Sequence, residues 1–393
     1  MVACKEMQIY LDYSATTPPR EEVVMKVQEI LTRGWGNPSS LHHWGQTAAT
    51  IVETARQQVA GLINAPSPGS IVFTSSGTEA NNLAISGAVR RYSTPGHIIT
   101  SSVEHSAIGE PTKELQKEGW ELTRLSVNPE GRIDPKDLKA AIQPNTVLIS
   151  IIYGQSEVGT VQPIEELAQI AHNHGILFHT DAVQVAGRIP LDVQRVPVDL
   201  LSLSSHKIYG IQGAGALYVR PGIELVPLLR GGGQENRLRS GTQAVAAIGA
   251  FGMAADLIAA EMATETPRLI SLRDRLFDRL SHCPHLKPTG DRLYRLPHHV
   301  SFVLTTAGSI TGKTLVRALN LAGIGISAGA ACNSGKLNPS PVLLAMGYKP
   351  QQALTGIRLT LGRDTVEADI DWTAMVLEQI LDRCLADFSA LPT

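Results

Sequence analysis

The sequence predicts an α/β protein with a large, doubly wound, mostly parallel-sheet part and a smaller α+β part. Between about residues 70 and 220, short apolar runs alternate with helical patterns, as in a sheet that is covered by helices on both faces. After about residue 258, charged amphipathic helices are interspersed with isolated strands instead. The length of 393 residues allows two or three domains, and the change of pattern predicts a boundary near residue 258.

The individual elements follow from short apolar runs for the strands and from helical spacing of apolar residues for the helices. In the first region, strands are predicted at residues 71–74, 98–101, 122–125, 147–152, 176–179, 199–203 and 214–219, and helices at 79–92 and 164–174. A helix of small residues is predicted at 244–260, before the pattern changes. In the second region, helices are predicted at 267–280, 313–321 and 367–385, and strands at 299–304 and 356–361. Such sheets bind ligands beyond the carboxyl ends of their strands, so the residues that follow each strand are candidates for function.

Composition excludes several classes of protein. The 34 Lys+Arg and 36 Asp+Glu leave a formal net charge of -2, so no basic excess favours nucleic acid. The N-terminus lacks the apolar stretch of a signal peptide. The apolar run at about residues 244–255 ends at Asp256, which is too short for a membrane span of about 20 residues. The four cysteines form no CxxC pair, and this pattern is typical of the reducing cytoplasm.

Residues 73–82, Phe-Thr-Ser-Ser-Gly-Thr-Glu-Ala-Asn-Asn, join a predicted strand to a helix through a turn of small polar residues. The N–H groups of Gly77 and Thr78 then lie at a helix N-terminus, where unpaired N–H groups bind anions. The segment is therefore a candidate phosphate site. The structural alternative is ordinary capping, with Thr78 as the N-cap residue.

Two further strands bring an acid and an amine to the same sheet edge. Asp181, in Phe-His-Thr-Asp-Ala-Val-Gln at residues 178–184, follows an apolar strand, and its carboxylate could pair with a ring nitrogen or cap the next helix. The next strand is followed by Ser204, His206 and Lys207. A buried lysine has a lowered pKa and forms Schiff bases, whereas most lysines are solvated surface charges.

A phosphate site, a carboxylate and a lysine at one sheet edge match the three groups by which pyridoxal 5′-phosphate is held. His105, in Ser-Ser-Val-Glu-His at residues 101–105, follows another strand. It could lie flat on the cofactor ring and move protons, and its alternative is an ordinary loop histidine.

Two residues of the second region stand out. Cys332 lies among small and polar residues in Ser-Ala-Gly-Ala-Ala-Cys-Asn-Ser-Gly at residues 327–335. This setting predicts an exposed, mobile nucleophile, whereas Cys4, Cys283 and Cys384 lack it and are assigned as inert. Arg358 interrupts an apolar strand in Gly-Ile-Arg-Leu-Thr-Leu, where it suits either bidentate binding of a carboxylate or a structural ion pair.

The chain resembles the group I (NifS/IscS-type) cysteine desulfurases, which are fold-type I pyridoxal-phosphate enzymes of the class V aminotransferase family. Besides the segments above, the resemblance rests on Tyr-Leu-Asp-Tyr-Ser-Ala-Thr-Thr-Pro at residues 10–18, Gly-Asn-Pro-Ser at 36–39 and Gly-Arg at 362–363. It implies a large cofactor-binding domain at residues 13–258. It also implies a small domain formed by residues 1–12 and 259–393, which carries the catalytic cysteine loop.

The resemblance also implies roles for the cofactor-binding residues. Lys207 binds the cofactor aldehyde, Asp181 pairs with its pyridine nitrogen, Gln184 contacts its ring hydroxyl and His105 stacks on its ring. The implied phosphate ligands are Gly77, Thr78, Ser204, Ser205 and His206, together with Thr242, which reaches the phosphate of the partner subunit.

For catalysis, the resemblance makes Cys332 the sulfur acceptor and Arg358 the residue that binds the substrate carboxylate. Lys207 or His105 moves the proton of the substrate. The chain departs from the family at Gln155-Ser156, where two asparagines are usual. The first of these contacts cofactor and substrate in the family, and Gln155 offers the same amide from one methylene further out.

The implied reaction converts L-cysteine to L-alanine, with the sulfur transferred as an enzyme persulfide for iron–sulfur cluster assembly or another thiolation. The implied partners are a second copy of the chain and an iron–sulfur scaffold or other sulfur acceptor, in the cytoplasm, with no nucleic acid, membrane or metal. A selenocysteine lyase or a cysteine or cystine lyase would need nearly the same site. The remaining alternatives are a non-catalytic interaction protein and a nucleotide-binding protein, although the sequence has no intact P-loop.

Overall fold

The computed structural model describes residues 8–305, 310–329 and 338–389, with side chains up to residue 384. In chain order, the strands of these residues are β1 Ile9–Tyr10, β2 Ile71–Thr74, β3 His97–Ser101, β4 Glu121–Leu125, β5 Thr146–Ile152, β6 Leu177–Asp181, β7 Leu200–Ser204, β8 Gly215–Val219, β9 Leu286–Pro288, β10 His299–Leu304, β11 Ile324–Gly325, β12 Ser327–Ala328 and β13 Ile357–Thr360.

The helices of the described residues pack against both the large sheet and the smaller one. They are α1 Glu21–Arg33, α2 His43–Leu62, α3 Gly77–Val89, α4 Ser106–Lys117, α5 Pro135–Ala141, α6 Ile164–Asn173, α7 Val245–Arg279, α8 Gly312–Leu321, α9 Pro341–Ala345, α10 Pro350–Ala353 and α11 Glu367–Ser389. The sequence did not predict α1, α2, α4, α5, α9 and α10.

The large sheet confirms the predicted fold class. Its strands are ordered β2-β8-β7-β6-β5-β3-β4, and they run parallel except for β8, which is antiparallel to both its neighbours. Every residue of β2, β3, β7 and β8 is buried, because helices cover both faces of the sheet. The seven predicted strands all occur, and none of their ends is displaced by more than two residues.

The smaller sheet is antiparallel, in the order β12-β13-β10-β9. Beside it, the N-terminal strand β1 pairs in parallel with β11. Residues Ile9 and Leu11 pack in the same hydrophobic core as Leu359 of β13. This core is separate from the one around the large sheet, so residues near the N-terminus pack with the second half of the chain.

Helix α7 differs from its prediction. We expected two helices, at 244–260 and 267–280, and the structure has one helix of 35 residues that runs through Pro267. The first half packs in the large core, for example through Phe251, and the second half packs in the small one through Leu276. Burial of both halves outweighs the hydrogen bond that Pro267 removes. The predicted boundary at residue 258 falls inside this helix, and the division into two domains stays a proposal.

The helix is also long and apolar enough to span a membrane by length and composition alone, and 56% of its apolar window is buried inside the protein. That burial is typical of a core helix. Small residues allow its close approach to α2: a Cβ atom at Gly252 would lie 2.5 Å from the Cα atom of Ala55.

We expect Gly252→Ala to lower the free energy of unfolding by about 1–3 kcal/mol, because the added methyl group must displace the backbone of α2. Gly61→Ala is the matched control, since Gly61 also lies in a helix and a Cβ atom there would meet nothing within 4 Å. That change should stabilise the protein by about 0.5–1 kcal/mol. Thermal unfolding of both variants checks the prediction, and an unchanged midpoint for Gly252→Ala would contradict the tight packing of α7.

Candidate active site

A cavity of about 230 Å³ lies at the carboxyl edge of the large sheet, where the segments that follow β2, β3, β5, β6 and β7 converge. This is the edge at which the sequence predicted a ligand site. Among the predicted site residues, the cavity is lined by Gly77, Thr78, His105, Asp181, Gln184, Ser204, His206 and Lys207.

The start of α3 forms the polar end of the cavity. Ser76, rather than the predicted Thr78, is the N-cap residue, and its Oγ accepts a hydrogen bond of 3.1 Å from the N–H of Glu79. The first two N–H groups of the helix, on Gly77 and Thr78, are left for a ligand. The Oγ atom of Ser204 is buried nearby with no hydrogen-bond partner among the described residues, which makes it a further donor for an anion.

Asp181 ends β6 and is buried, with 6% of its surface exposed. Its Oδ2 accepts a hydrogen bond of 2.7 Å from Asn81 Nδ2, and its Oδ1 accepts one of 3.0 Å from the N–H of Val183. These two bonds fix the orientation of the carboxylate at the wall of the cavity. The sequence did not single out Asn81, although it lies one helical turn after Gly77 in the predicted phosphate segment.

Lys207 lies in a short 3₁₀ turn that directly follows β7. Its Nζ donates hydrogen bonds to the carbonyl oxygens of Ser14, at 2.5 Å, and Ala15, at 2.8 Å. Burial and, as a smaller cause, the charge of Arg358 lower the pKa of Lys207 to about 8, against the opposite effects of Asp12 and Asp181. At pH 7 about a tenth of this amine is therefore unprotonated, far more than for an exposed lysine.

Two residues near Lys207 also form hydrogen bonds to residues 12–17, which we call the N-terminal segment. Gln184 Nε2 donates to the carbonyl oxygen of Ser14 at 2.9 Å, and His206 Nδ1 lies 3.1 Å from Thr16 Oγ1. Burial, together with the charge of Lys207, lowers the pKa of His206 to about 4. The His206 ring is therefore neutral at physiological pH.

His105 is the N-cap residue of α4, and its Nδ1 accepts a hydrogen bond of 3.1 Å from the N–H of Ala107. The side chain before it, Glu104, is held between two strands: its Oε1 accepts from Ser101 Oγ at 2.5 Å and from the N–H of Ile152 at 3.0 Å. Burial raises the pKa of Glu104 to about 8. This anchor fixes the turn that presents His105 to the cavity.

Arg358 on β13 is in contact with the segment that carries Ser14. Its Nη2 donates to Asp12 Oδ1 at 2.6 Å, and its Nη1 donates to the carbonyl oxygen of Ser156 at 2.9 Å. The sequence left open whether Arg358 binds a carboxylate or forms an ion pair, and in this structure it forms an ion pair. The sequence assigned no role to Asp12, and it named Ser156 only as part of the departure from the family at Gln155-Ser156.

The structure differs from the prediction for Gln155. Its Oε1 accepts hydrogen bonds from the N–H groups of Glu157 and Val158, and its Nε2 lies 3.3 Å from the carbonyl oxygen of Val103. The amide is thus used inside its own loop, with 2% of the residue exposed. Ser156 lines the cavity instead.

Three other predicted residues among the described ones do not line the cavity: Arg358, Ser205 and Thr242. Ser205 is fully buried behind it, and its Oγ has no partner among the described residues. Thr242 is exposed on the loop before α7. Cys332 lies outside the described residues. Of the other cysteines in the described residues, Cys283 is buried and Cys384 is partly buried.

Comparison with known proteins shows which family has this arrangement. The sequence model of the family described as “Aminotransferase class-V” matches residues 9–372. The protein “Cysteine desulfurase IscS” of Dictyoglomus turgidum is 45% identical over 378 residues, which cover 96% of this chain and 95% of that protein. The protein of the same name from Methanosarcina thermophila is 41% identical over 384 residues, covering 97% and 94%.

Solved structures have the same fold. A structure described as “NIFS-LIKE PROTEIN” superposes with a TM-score of 0.89 at 32% identity, covering 96% of this chain and all of the other. A second, “SspA in complex with cysteine”, superposes with a TM-score of 0.80 at 34% identity, covering 92% of this chain and 100% of the other.

We expect Lys207 of the cofactor-free protein to react with a small aldehyde and a borohydride reagent at a rate that rises with pH around a midpoint near 8, because only the neutral amine is nucleophilic. Lys117 is the internal control, since it is exposed and its pairing with Glu114 raises its pKa. Peptide mass spectrometry across pH 6–10 measures both. A profile for Lys207 as alkaline as that of Lys117 would contradict the effect of burial.

Proposed function

The chain belongs to the class-V aminotransferase family and, within it, to the cysteine desulfurases, and on this premise we propose that it converts L-cysteine to L-alanine and transfers the sulfur through a persulfide on Cys332. The observation that supports this most is the convergence of three groups in one cavity. A partly buried amine of lowered pKa, a buried carboxylate and a helix N-terminus meet there.

The residues of the cavity fit pyridoxal 5′-phosphate, the cofactor of this family. Its phosphate would be held by the N–H groups of Gly77 and Thr78 and by the unpartnered Oγ of Ser204. Asp181 would hold the proton on the pyridine nitrogen, and Lys207 would bind the aldehyde. When bound, the cofactor withdraws electrons from the substrate.

The chain's own residues then bind the substrate and move its proton. Arg358 binds the substrate carboxylate with two parallel N–H groups. The neutral amine of Lys207 takes the proton from the substrate Cα, and the carbonyl oxygens of Ser14 and Ala15 bind the resulting ammonium, as they bind Nζ in this structure. His105, at the mouth of the cavity, provides a second proton carrier.

The sulfur transfer is a displacement at the sulfur of the substrate. The thiolate of Cys332 attacks this sulfur, so that a sulfur–sulfur bond forms and the carbon–sulfur bond breaks. The electron pair of the broken bond stays with the substrate Cβ, which takes up one proton, and the proton that Lys207 removed returns to Cα to give alanine. The persulfide on Cys332 is then transferred to an acceptor, an iron–sulfur scaffold or another thiolation protein.

We further propose that two chains form a homodimer with shared active sites, in the cytoplasm. Thr242 is exposed and absent from the lining of its own chain's cavity, as a residue that reaches the partner's phosphate must be. Large apolar side chains are exposed on and after α1 and support an interface there: Val24, Met25, Leu31, Trp35 and Trp44. The separation of the four cysteines supports the cytoplasm.

The holoenzyme given L-cysteine should form alanine in step with the sulfide that a thiol reductant releases, and Cys332→Ser should abolish both while it retains the bound cofactor. Cys384→Ser is the matched control and should keep the activity. Pyruvate and ammonia as products would instead indicate a lyase, and selenide release confined to selenocysteine would indicate a selenocysteine lyase. Sulfur transfer that survives Cys332→Ser would refute the role of this cysteine.

The shared site can be tested by mixing two inactive variants, Lys207→Ala and Thr242→Ala, under conditions that exchange subunits. In a mixed dimer, one site takes Lys207 from one chain and Thr242 from the other and is intact. Random exchange should therefore recover about a quarter of the parental activity, since half of the dimers are mixed and each has one good site. If Thr242 acted within its own chain, mixing would recover no activity beyond the mean of the two variants.

A further inference from the structure

The guanidinium of Arg358 is already paired with a carboxylate. Asp12 Oδ1 accepts a hydrogen bond of 2.6 Å from Nη2, and the Ser156 carbonyl oxygen accepts one from Nη1. Both side chains of the ion pair are largely buried, with 12% and 20% exposed. The third nitrogen, Nε, is buried with no partner among the described residues.

We propose that Asp12 is an internal competitor that occupies Arg358 until the carboxylate of the substrate displaces it. The proposal rests on the proposed function, in which Arg358 binds that carboxylate. A carboxylate that binds with both oxygens needs two N–H groups of the guanidinium that point the same way. Arg358 offers two such pairs, Nη1 with Nη2 and Nε with Nη2. Both pairs include Nη2, which is bonded to Asp12. Binding therefore exchanges one carboxylate for another at the same guanidinium.

The backbone places Asp12 there and keeps it there. Leu11 accepts a hydrogen bond of 2.7 Å from the N–H of Thr360, two residues beyond Arg358 on β13, and Tyr13 donates one to the Thr360 carbonyl. Asp12 can thus leave Arg358 by rotation of its side chain while its backbone stays paired. Before the substrate binds, Asp12 stays paired with Arg358 because a buried guanidinium without a counter-charge would destabilise the fold.

The same short segment also touches Lys207. Two and three residues after Asp12, the carbonyl oxygens of Ser14 and Ala15 bind Lys207 Nζ. The charge of Asp12 raises the pKa of Lys207 and that of Arg358 lowers it. When the substrate carboxylate takes the place of Asp12, the charge of Arg358 is still balanced, now by the substrate. The carboxylate of Asp12 is then free to stabilise the protonated amine of Lys207.

The exchange also selects a class of substrate. An α-amino acid brings the carboxylate that displaces Asp12, whereas an amine without a carboxylate leaves the ion pair intact. Asp12 should therefore weaken the binding of amino acids and leave the binding of simple amines unchanged. A purely structural ion pair would show no such distinction.

The test is Asp12→Asn in the holoenzyme, with Asp12→Ser as a second variant in case Asn disturbs the fold. We expect the KM for L-cysteine to fall roughly fivefold, as for the loss of one ion pair, with no increase in kcat. Titration with L-alanine, followed by the visible absorption of the cofactor, should show the same shift in affinity. Titration with cysteamine, which lacks a carboxylate, should show none.

Two variants complete the comparison. Asp371→Asn removes a carboxylate from another arginine pair, Arg275–Asp371 at 2.7 Å, and should leave the KM unchanged. Asp12→Glu keeps a charge near Arg358 and should give a KM above that of Asp12→Asn. An unchanged or increased KM in Asp12→Asn, or an equal shift with cysteamine, would overturn the competitor role.

Arg358→Lys separates this inference from the proposed function. If it raises the KM for L-cysteine while Asp12→Asn does not lower it, Arg358 binds the substrate and only the competition is wrong. If it leaves the KM and the L-alanine affinity unchanged, then the role of Arg358 fails and the inference fails with it.

Discussion

The removal of Lys207 from water is the constraint on which the rest of the site depends. Its pKa falls to about 8, first because the lysine is partly buried in the turn after β7 and second because of the charge of Arg358. The carbonyl oxygens of Ser14 and Ala15 accept hydrogen bonds from Nζ and so replace part of the lost hydration of the amine, without adding a charge beside it. A carboxylate in the same place would hold the amine protonated, so the use of neutral acceptors keeps the lysine reactive.

The N-terminal segment connects the two cores of the molecule. Ser14 accepts hydrogen bonds from Lys207 and Gln184 through its carbonyl, and its own N–H donates to Thr360 Oγ1 of β13 at 2.9 Å. Its Oγ lies 3.2 Å from His298 Nε2. The cofactor lysine and the proposed substrate arginine are therefore held against one stretch of backbone, although they are far apart in sequence.

Local sequence predicted the large sheet and most of the cavity because both depend on local signals. An apolar run followed by small polar residues marks the end of a buried strand, and parallel strands must end at one edge, so Asp181, Ser204 and Lys207 were expected together and occur together. Helix α7 shows the limit of that reasoning. Pro267 is a local signal for the end of a helix. The helix continues through it because its two halves are each buried in a hydrophobic core.

The sequence by itself determined the family, the fold class and the chemical groups at the sheet edge, since these follow from residue types in a fixed order along the chain. The tertiary structure alone decided which polar atoms those groups touch. It turned the amide of Gln155 into its own loop, brought Asn81 to Asp181 and placed Asp12 on Arg358. The reason is physical. A hydrogen bond or an ion pair forms only when its two atoms are placed to within a few tenths of an ångström. These atoms belong to residues up to 346 positions apart, and no local sequence pattern encodes such a placement.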